Sequence, residues 1–138
     1  MKIKYIHELR MQVRDYECDL QGIVNNANYQ HYTEHARHMF LHEHGISFAG
    51  LHARGIDAVV ARMALRFKTP LRPGDAFTAR LALRREGVKY VFRQDLFRES
   101  DGCLVFSADV ETCCLIGGRL GTCAELDALV DECAGEDE

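Results

Sequence analysis

Residues 19–29 read DLQGIVNNANY. They set a carboxylate, Asp19, a few residues ahead of three asparagines, Asn25, Asn26 and Asn28. A carboxylate beside a reacting carbonyl serves as a general base or as a nucleophile. Asparagine side chains cap helices by accepting a backbone N–H. The first N–H groups of a helix have no partner within the helix, and its dipole favours negative charge at that end. Aimed at a carbonyl oxygen, such N–H groups stabilise the charge that builds there under attack. Gly22 lies between the two parts and permits a tight turn and a close approach of backbone. The plain alternative is a capped turn with no chemistry.

Other residues offer chemistry of their own. Glu17 shares strand parity with Asp19 and is a possible second carboxylate, although a solvated strand residue is the simpler reading for it and for Asp15. His31, His35, His38 and His42 follow one another at steps of four, three and four. Two of those pairs have the i,i+4 spacing of helical metal ligands, but there is no HExxH, so a solvated face is preferred and no metal is assigned. Arg84, Arg85 and Lys89 gather around a short hairpin and carry donors suited to phosphate, as an ordinary solvated hairpin also would. Arg62, Arg66, Lys68 and Arg72 are further cationic candidates.

These residues need elements to hold them. Tyr29, Tyr32, Ala36, Met39 and Phe40 form a helical stripe within residues 28–44, with Glu34, Arg37, His38 and Glu43 off it and Gly45 as the stop. Period-two alternation marks residues 56–68, 76–86 and 103–116 as strands with one wet face. In the first, Val59, Ala61, Met63, Leu65 and Phe67 are expected to share the apolar side. Residues 89–98 form a less regular strand, and residues 4–14 make a fifth. The joining segments TPLRPGD, EGV and ESDG are short enough for antiparallel hairpins. Strands this long twist and curl. One long apolar helix is available to cover their single apolar face. The expected fold is therefore α+β, a long curved antiparallel sheet wrapped around a central helix. Residues 122–133 add a short terminal helix, and residues 133–138 a frayed acidic tail.

The 138 residues fit one domain. Hydrophobic residues make up 47% and charged residues 28%, which is ordinary for a globular protein. A net charge of -4 argues against nucleic acid as the main partner. No apolar run approaches a membrane span, and MKIKYIHELR lacks the apolar core of a signal peptide. Six cysteines without a CxxC pair read as reduced thiols, with Cys113 and Cys114 on opposite faces of a strand. A cytoplasmic protein is expected.

The order of strand, Asp-containing turn, helix and four long strands resembles the hot-dog fold. Within it, residues 19–37, DLQGIVNNANYQHYTEHAR, resemble the signature of the 4-hydroxybenzoyl-CoA thioesterase-like acyl-CoA thioesterases. Asp19, Gly22, Ile23, Val24, Asn28, Tyr29, Ala36 and Arg37 match that pattern, and the LRPGD turn at residues 71–75 resembles another family feature. The resemblance implies hydrolysis of an acyl-CoA to free acid and CoA. Asp19 would be base or nucleophile, and the backbone N–H of Asn26 the oxyanion donor. Gly22, Ile23, Val24 and Asn25 would line the substrate, and Arg84, Arg85 and Lys89 would hold the CoA nucleotide. It implies no cofactor beyond CoA as part of the substrate. It also implies a homodimer or homotetramer with active sites between subunits, where residues 59–67 of a partner line the pocket. NNANY is similar to a variant in plant-type acyl-carrier-protein thioesterases, which leaves the carrier open. A hot-dog hydratase and a non-catalytic acyl-binding module are the remaining alternatives.

Overall fold

A computed structural model describes residues 3–135. The chain forms β1 (His7–Gln12), a 3-10 turn (Asp15–Glu17), α1 (Asn26–Glu43), α2 (Phe48–Ala53), β2 (Ile56–Phe67), β3 (Ala76–Glu86), β4 (Lys89–Arg98), β5 (Leu104–Ile116), β6 (Arg119–Gly121) and α3 (Ala124–Gly135). One antiparallel sheet runs in the order β1-β3-β4-β5-β2, with β6 added to β5. The apolar side of this sheet and the buried face of α1 make one core, in which Phe40, Phe77, Leu81, Leu96, Phe106 and Val110 are fully buried. This is the hot-dog arrangement.

Three expectations about the elements are corrected. Residues 56–67 and 76–86 do not form a hairpin: β2 pairs with β5, while β3 pairs with β1 and β4. The segment between them instead carries the chain across the sheet. There Leu71 accepts the N–H of Val24 at 2.9 Å, which ties the crossing to the loop before α1. Secondly, β2 does not keep one apolar side. Val60 pairs with Thr112 and Arg62 with Glu111, so Ala61 is the extra residue of a β-bulge. An extra residue reverses side-chain parity. Ile56 and Ala58 therefore join Met63 and Leu65 against the core, and Val59 faces solvent. Thirdly, Arg37 is buried, together with Tyr29, Tyr32, Thr33, Ala36, Phe40 and Leu41, whereas Met39 is only half-buried. Arg37 lies eight residues after Tyr29 and four after Thr33, which is the same face of a 3.6-residue helix.

Helix α2 and strand β6 are additions to the expected elements. Ser47 caps α2 by accepting the N–H of Gly50 at 3.0 Å. Helix α3 continues to Gly135, past the expected stop at Cys133. The rest of the tail, residues 136–138, lies outside the described residues.

Candidate active site

Residues 18–24 fold back on themselves. Cys18 and Val24 form a β-bridge, the N–H of Asp19 donates to Ile23 at 2.9 Å, and the N–H of Gly22 donates to the Asp19 carbonyl at 3.0 Å. Gly22 takes φ +76°, a left-handed conformation that costs a side-chain-bearing residue about 1–2 kcal/mol. Nothing lies within 4 Å of where its Cβ would stand, so the turn, and not a close approach, is what requires glycine here. The Asp19 carboxylate is exposed and accepts the N–H of Gln21 at 2.9 Å through Oδ1. Leu20 beside it is fully exposed, and Tyr16 nearly so.

One step further along the hairpin, the N–H of Asn25 donates to the Glu17 carbonyl at 3.0 Å. Helix α1 starts at that point. Of the three asparagines, Asn25 is the cap: its Oδ1 accepts the N–H of Ala27 at 3.0 Å. Asn28 binds backward, its Nδ2 donating to the Glu17 carbonyl at 2.7 Å. Among the described residues the N–H of Asn26 has no acceptor. It stands at the positive end of an 18-residue helix. Asp19 lies opposite Ile23, two hairpin positions from the Glu17–Asn25 pair, which at strand spacing is about 7 Å. A carbonyl group between them would meet a carboxylate on one side and a free N–H on the other.

Glu17 holds this geometry in place. It is not a solvated strand residue: it ends the 3-10 turn and is 8% exposed. Its carboxylate accepts the backbone N–H of Arg14 at 2.8 Å, Nη1 of Arg14 at 3.0 Å and the hydroxyl of Tyr32 at 2.8 Å. Burial, and then the Glu17 carboxylate, push the Tyr32 hydroxyl well above its ordinary pKa. The same residue thus binds α1 through its side chain and the helix cap through its carbonyl. On the other side, the Tyr29 hydroxyl accepts the N–H of Leu71 at 3.0 Å. The LRPGD turn closes on itself through the Arg72 N–H and the Asp75 carboxylate at 2.9 Å.

Beside the hairpin, Val24 is buried, Gly22 and Ile23 are half-buried and Asn25 is exposed. A cavity of about 240 Å³ begins at Ala27 and runs along α1 against Val60 and Met63 of β2. A wider cleft of about 610 Å³ opens on the next face of the helix, between it and β1, with Glu17 and Tyr32 among its lining residues and His31 shared with the first cavity.

The basic hairpin is elsewhere. Arg84, Arg85 and Lys89 lie at the far end of β3, about 30 Å from the turn that abuts the Asp19 loop. Each is already paired: Arg84 with Glu86 at 2.7 Å, Arg85 with Asp127 at 2.9 Å and Lys89 with Glu111 at 3.1 Å. Hydrogen bonds from Lys89 and Arg62 hold the Glu111 carboxyl below its usual pKa. His31, His35, His38 and His42 are exposed along α1. Among the described residues no group of three or more His, Cys, Asp or Glu is placed to hold a metal ion. No described helix is long and apolar enough to cross a membrane.

Comparison with known proteins bears on the family and the fold. Residues 13–126 match the model of the thioesterase-like superfamily. Over 74 residues the chain is 40% identical to the chloroplastic acyl-acyl carrier protein thioesterase ATL3 of Arabidopsis thaliana, covering 54% of this chain and 39% of that protein. It is 36% identical over 95 residues to ATL2 of the same plant, covering 67% of this chain and 50% of that one. The chain thus spans half or less of the length of these relatives. Among solved structures, a 1,4-dihydroxy-2-naphthoyl-CoA thioesterase from Synechocystis superposes with a TM-score of 0.84 over 91% of this chain and 95% of its own. At 13% identity that likeness is one of fold.

Proposed function

Because the chain belongs to the thioesterase-like superfamily, we propose that it hydrolyses an acyl-CoA thioester to the free acid and CoA, with Asp19 as the catalytic carboxylate and the N–H of Asn26 as the oxyanion donor. The observation that carries this reading is the Asn26 N–H at the start of α1, without an acceptor among the described residues and one residue past the Glu17–Asn25 pair, which lies two hairpin positions from Asp19. The thioester carbonyl oxygen accepts from that N–H. Acting as base, Asp19 takes a proton from water as the water oxygen bonds to the carbonyl carbon. The tetrahedral intermediate then expels the thiolate, the C–S bond breaks, and the proton passes to sulfur. Acting as nucleophile, the Asp19 carboxylate bonds to the carbonyl carbon, and the C–S bond breaks to release the thiolate. Water cleaves the resulting anhydride to give the acid, a free Asp19 carboxylate and the proton for sulfur. Ile23 and Val24 border the acyl group, and the cationic hairpin of a second subunit receives the nucleotide phosphates. The identity with the plant proteins favours a second carrier, an acyl group on the pantetheine arm of a carrier protein.

A thiol-release assay over acyl-CoAs and acyl-carrier proteins tests this. Wild type should turn over at least one of them, and Asp19→Asn should lose on the order of a hundredfold or more in kcat. Full activity in Asp19→Asn overturns the assignment of Asp19. CoA binding without turnover of any thioester favours the acyl-binding module. Label in the Asp19 carboxylate after a single turnover in heavy-oxygen water shows the nucleophilic route, with water attacking the Asp19 carbonyl of the anhydride.

A further inference from the structure

Arg37 is 6% exposed, and among the described residues its guanidinium makes one hydrogen bond, from Nη1 to Oε1 of Gln94 at 2.9 Å. Gln94 is neutral and 1% exposed, and its own Nε2 donates to the Thr33 carbonyl at 2.8 Å. A buried guanidinium ordinarily sits against a carboxylate, because a buried charge without a partner is strongly destabilising. The nearest charge on its own helix face, Glu34, is exposed and makes no ion pair with it among the described residues. Arg37 nevertheless borders a cavity. It lines the same space along α1 as Ala27, Gln30 and Glu34, against Val60 and Met63 of β2. That space starts one residue from the Asn26 N–H.

We propose that Arg37, fixed by Gln94, is a specificity residue that binds an oxygen acceptor on the distal part of the acyl group. The proposal rests on the thioesterase reading above, in which the thioester carbonyl sits at Asn26. Helical side chains point toward the N-terminus, and the Gln94 bridge puts the guanidinium level with Thr33. Thr33 is seven residues beyond Asn26, so the guanidinium lies about 10 Å along the helix from the oxyanion donor. An extended chain gains about 1.2 Å per bond, so at least about eight bonds separate the oxygen from the thioester carbon. The substrate class is thus a medium-length acyl group ending in, or bearing near its end, a hydroxyl, keto or carboxylate oxygen. The groove wall before that point is Ala27, Val60, Met63 and the stem of Gln30, which suit methylenes, with His31 and Glu34 as its polar side.

The test compares three ten-carbon thioesters on one preparation: decanoyl-CoA, ω-hydroxydecanoyl-CoA and decanedioyl-CoA carrying a single CoA. Wild type should prefer at least one oxygenated substrate over decanoyl-CoA by tenfold or more in kcat/KM. The hydroxyl arm and the carboxylate arm tell a neutral acceptor from an anionic one. Arg37→Met should bring the ratio close to one, and a ratio of two substrates does not depend on the folded fraction. Gln94→Glu supplies Arg37 with a carboxylate of the chain's own and should also lower the ratio, which decides the matter if Arg37→Met does not fold. A wild-type ratio near one, or a ratio that neither variant changes, overturns the proposal. So does monomerisation of Arg37→Met with no change in preference, which assigns the guanidinium to a subunit contact. If no thioester is hydrolysed, the thioesterase reading fails by itself. Calorimetric binding of free ω-hydroxydecanoate against decanoate then decides: a preference lost in both variants supports the role of Arg37, and equal or undetectable binding overturns it.

Discussion

At Glu17 one carboxylate gathers three donors and one backbone carbonyl gathers two more, which ties the approach to α1 to its first two turns. Removing the carboxylate leaves the buried Tyr32 hydroxyl without its acceptor and the Arg14 N–H without a cap. Groups stranded in this way cost about 1–3 kcal/mol. Glu17→Ala is therefore expected to lower the urea midpoint by that equivalent with an unchanged slope. A midpoint within error of wild type assigns the anchoring of α1 to the Tyr29–Leu71 bond instead. The turn at Gly22 and the asparagine cap are legible in the sequence because they depend on neighbours a few positions away. The sequence does not mark Glu17, since strand parity was carried through a segment that is a 3-10 turn. The apolar stripe also leaves out Arg37, which matches the family signature, since an arginine is placed on the wet face by type, whereas its position in the helical repeat puts it beneath the helix.

The elements were legible where a pattern repeats and illegible where one residue interrupts it. Alternation in residues 76–86 and 103–116 matches β3 and β5 closely, because those strands sit inside the sheet and every second side chain meets the core. Strand β2 defeats the same reading at Ala61, where a bulge reverses the faces. Pairing of β2 with β5 instead of β3 is a long-range choice that loop length does not reveal. Strand β6 and the start of α3 close over β5, and they bury Cys114 and Cys123. Burial, with a smaller contribution from Cys123, pushes the Cys114 thiol from its ordinary 9.0 up to about 12. The unfolded chain therefore gives up this proton near pH 9, while the folded chain keeps it until about pH 12. Stability from this group is complete below pH 9 and is lost as the pH rises toward 12. Cys114→Ala should show a shallower decline than wild type in thermal melts across that range. Parallel slopes for the two proteins place the alkaline transition on the buried tyrosines.

On the scale of the whole molecule, the candidate site is open on one side in a single chain. Asp19 and Leu20 are exposed, and the groove along α1 is open beside β2. β2 is also an edge of the sheet, and Val59, Val60 and Phe67 on it are each about half exposed. A long edge with apolar side chains is a surface that soluble proteins cover. Two-fold pairing of β2 with its copy would extend the sheet, close the groove and bring each cationic hairpin toward the partner's Asp19 loop, across the strand length that separates them within one chain. The expected outcome is a dimer in sedimentation equilibrium whose melting temperature rises with protein concentration. Val59→Lys places a charge on that edge without touching Asp19, Asn26 or the groove lining. It should shift the species toward monomer and raise KM, as each site loses its second wall. A wild-type monomer at micromolar concentration with full turnover would instead mean that one chain holds the whole site. The nucleotide would then have to be held by cations near the loop, and Lys68 and Arg72, on the segment tied to Val24, become the residues to substitute first.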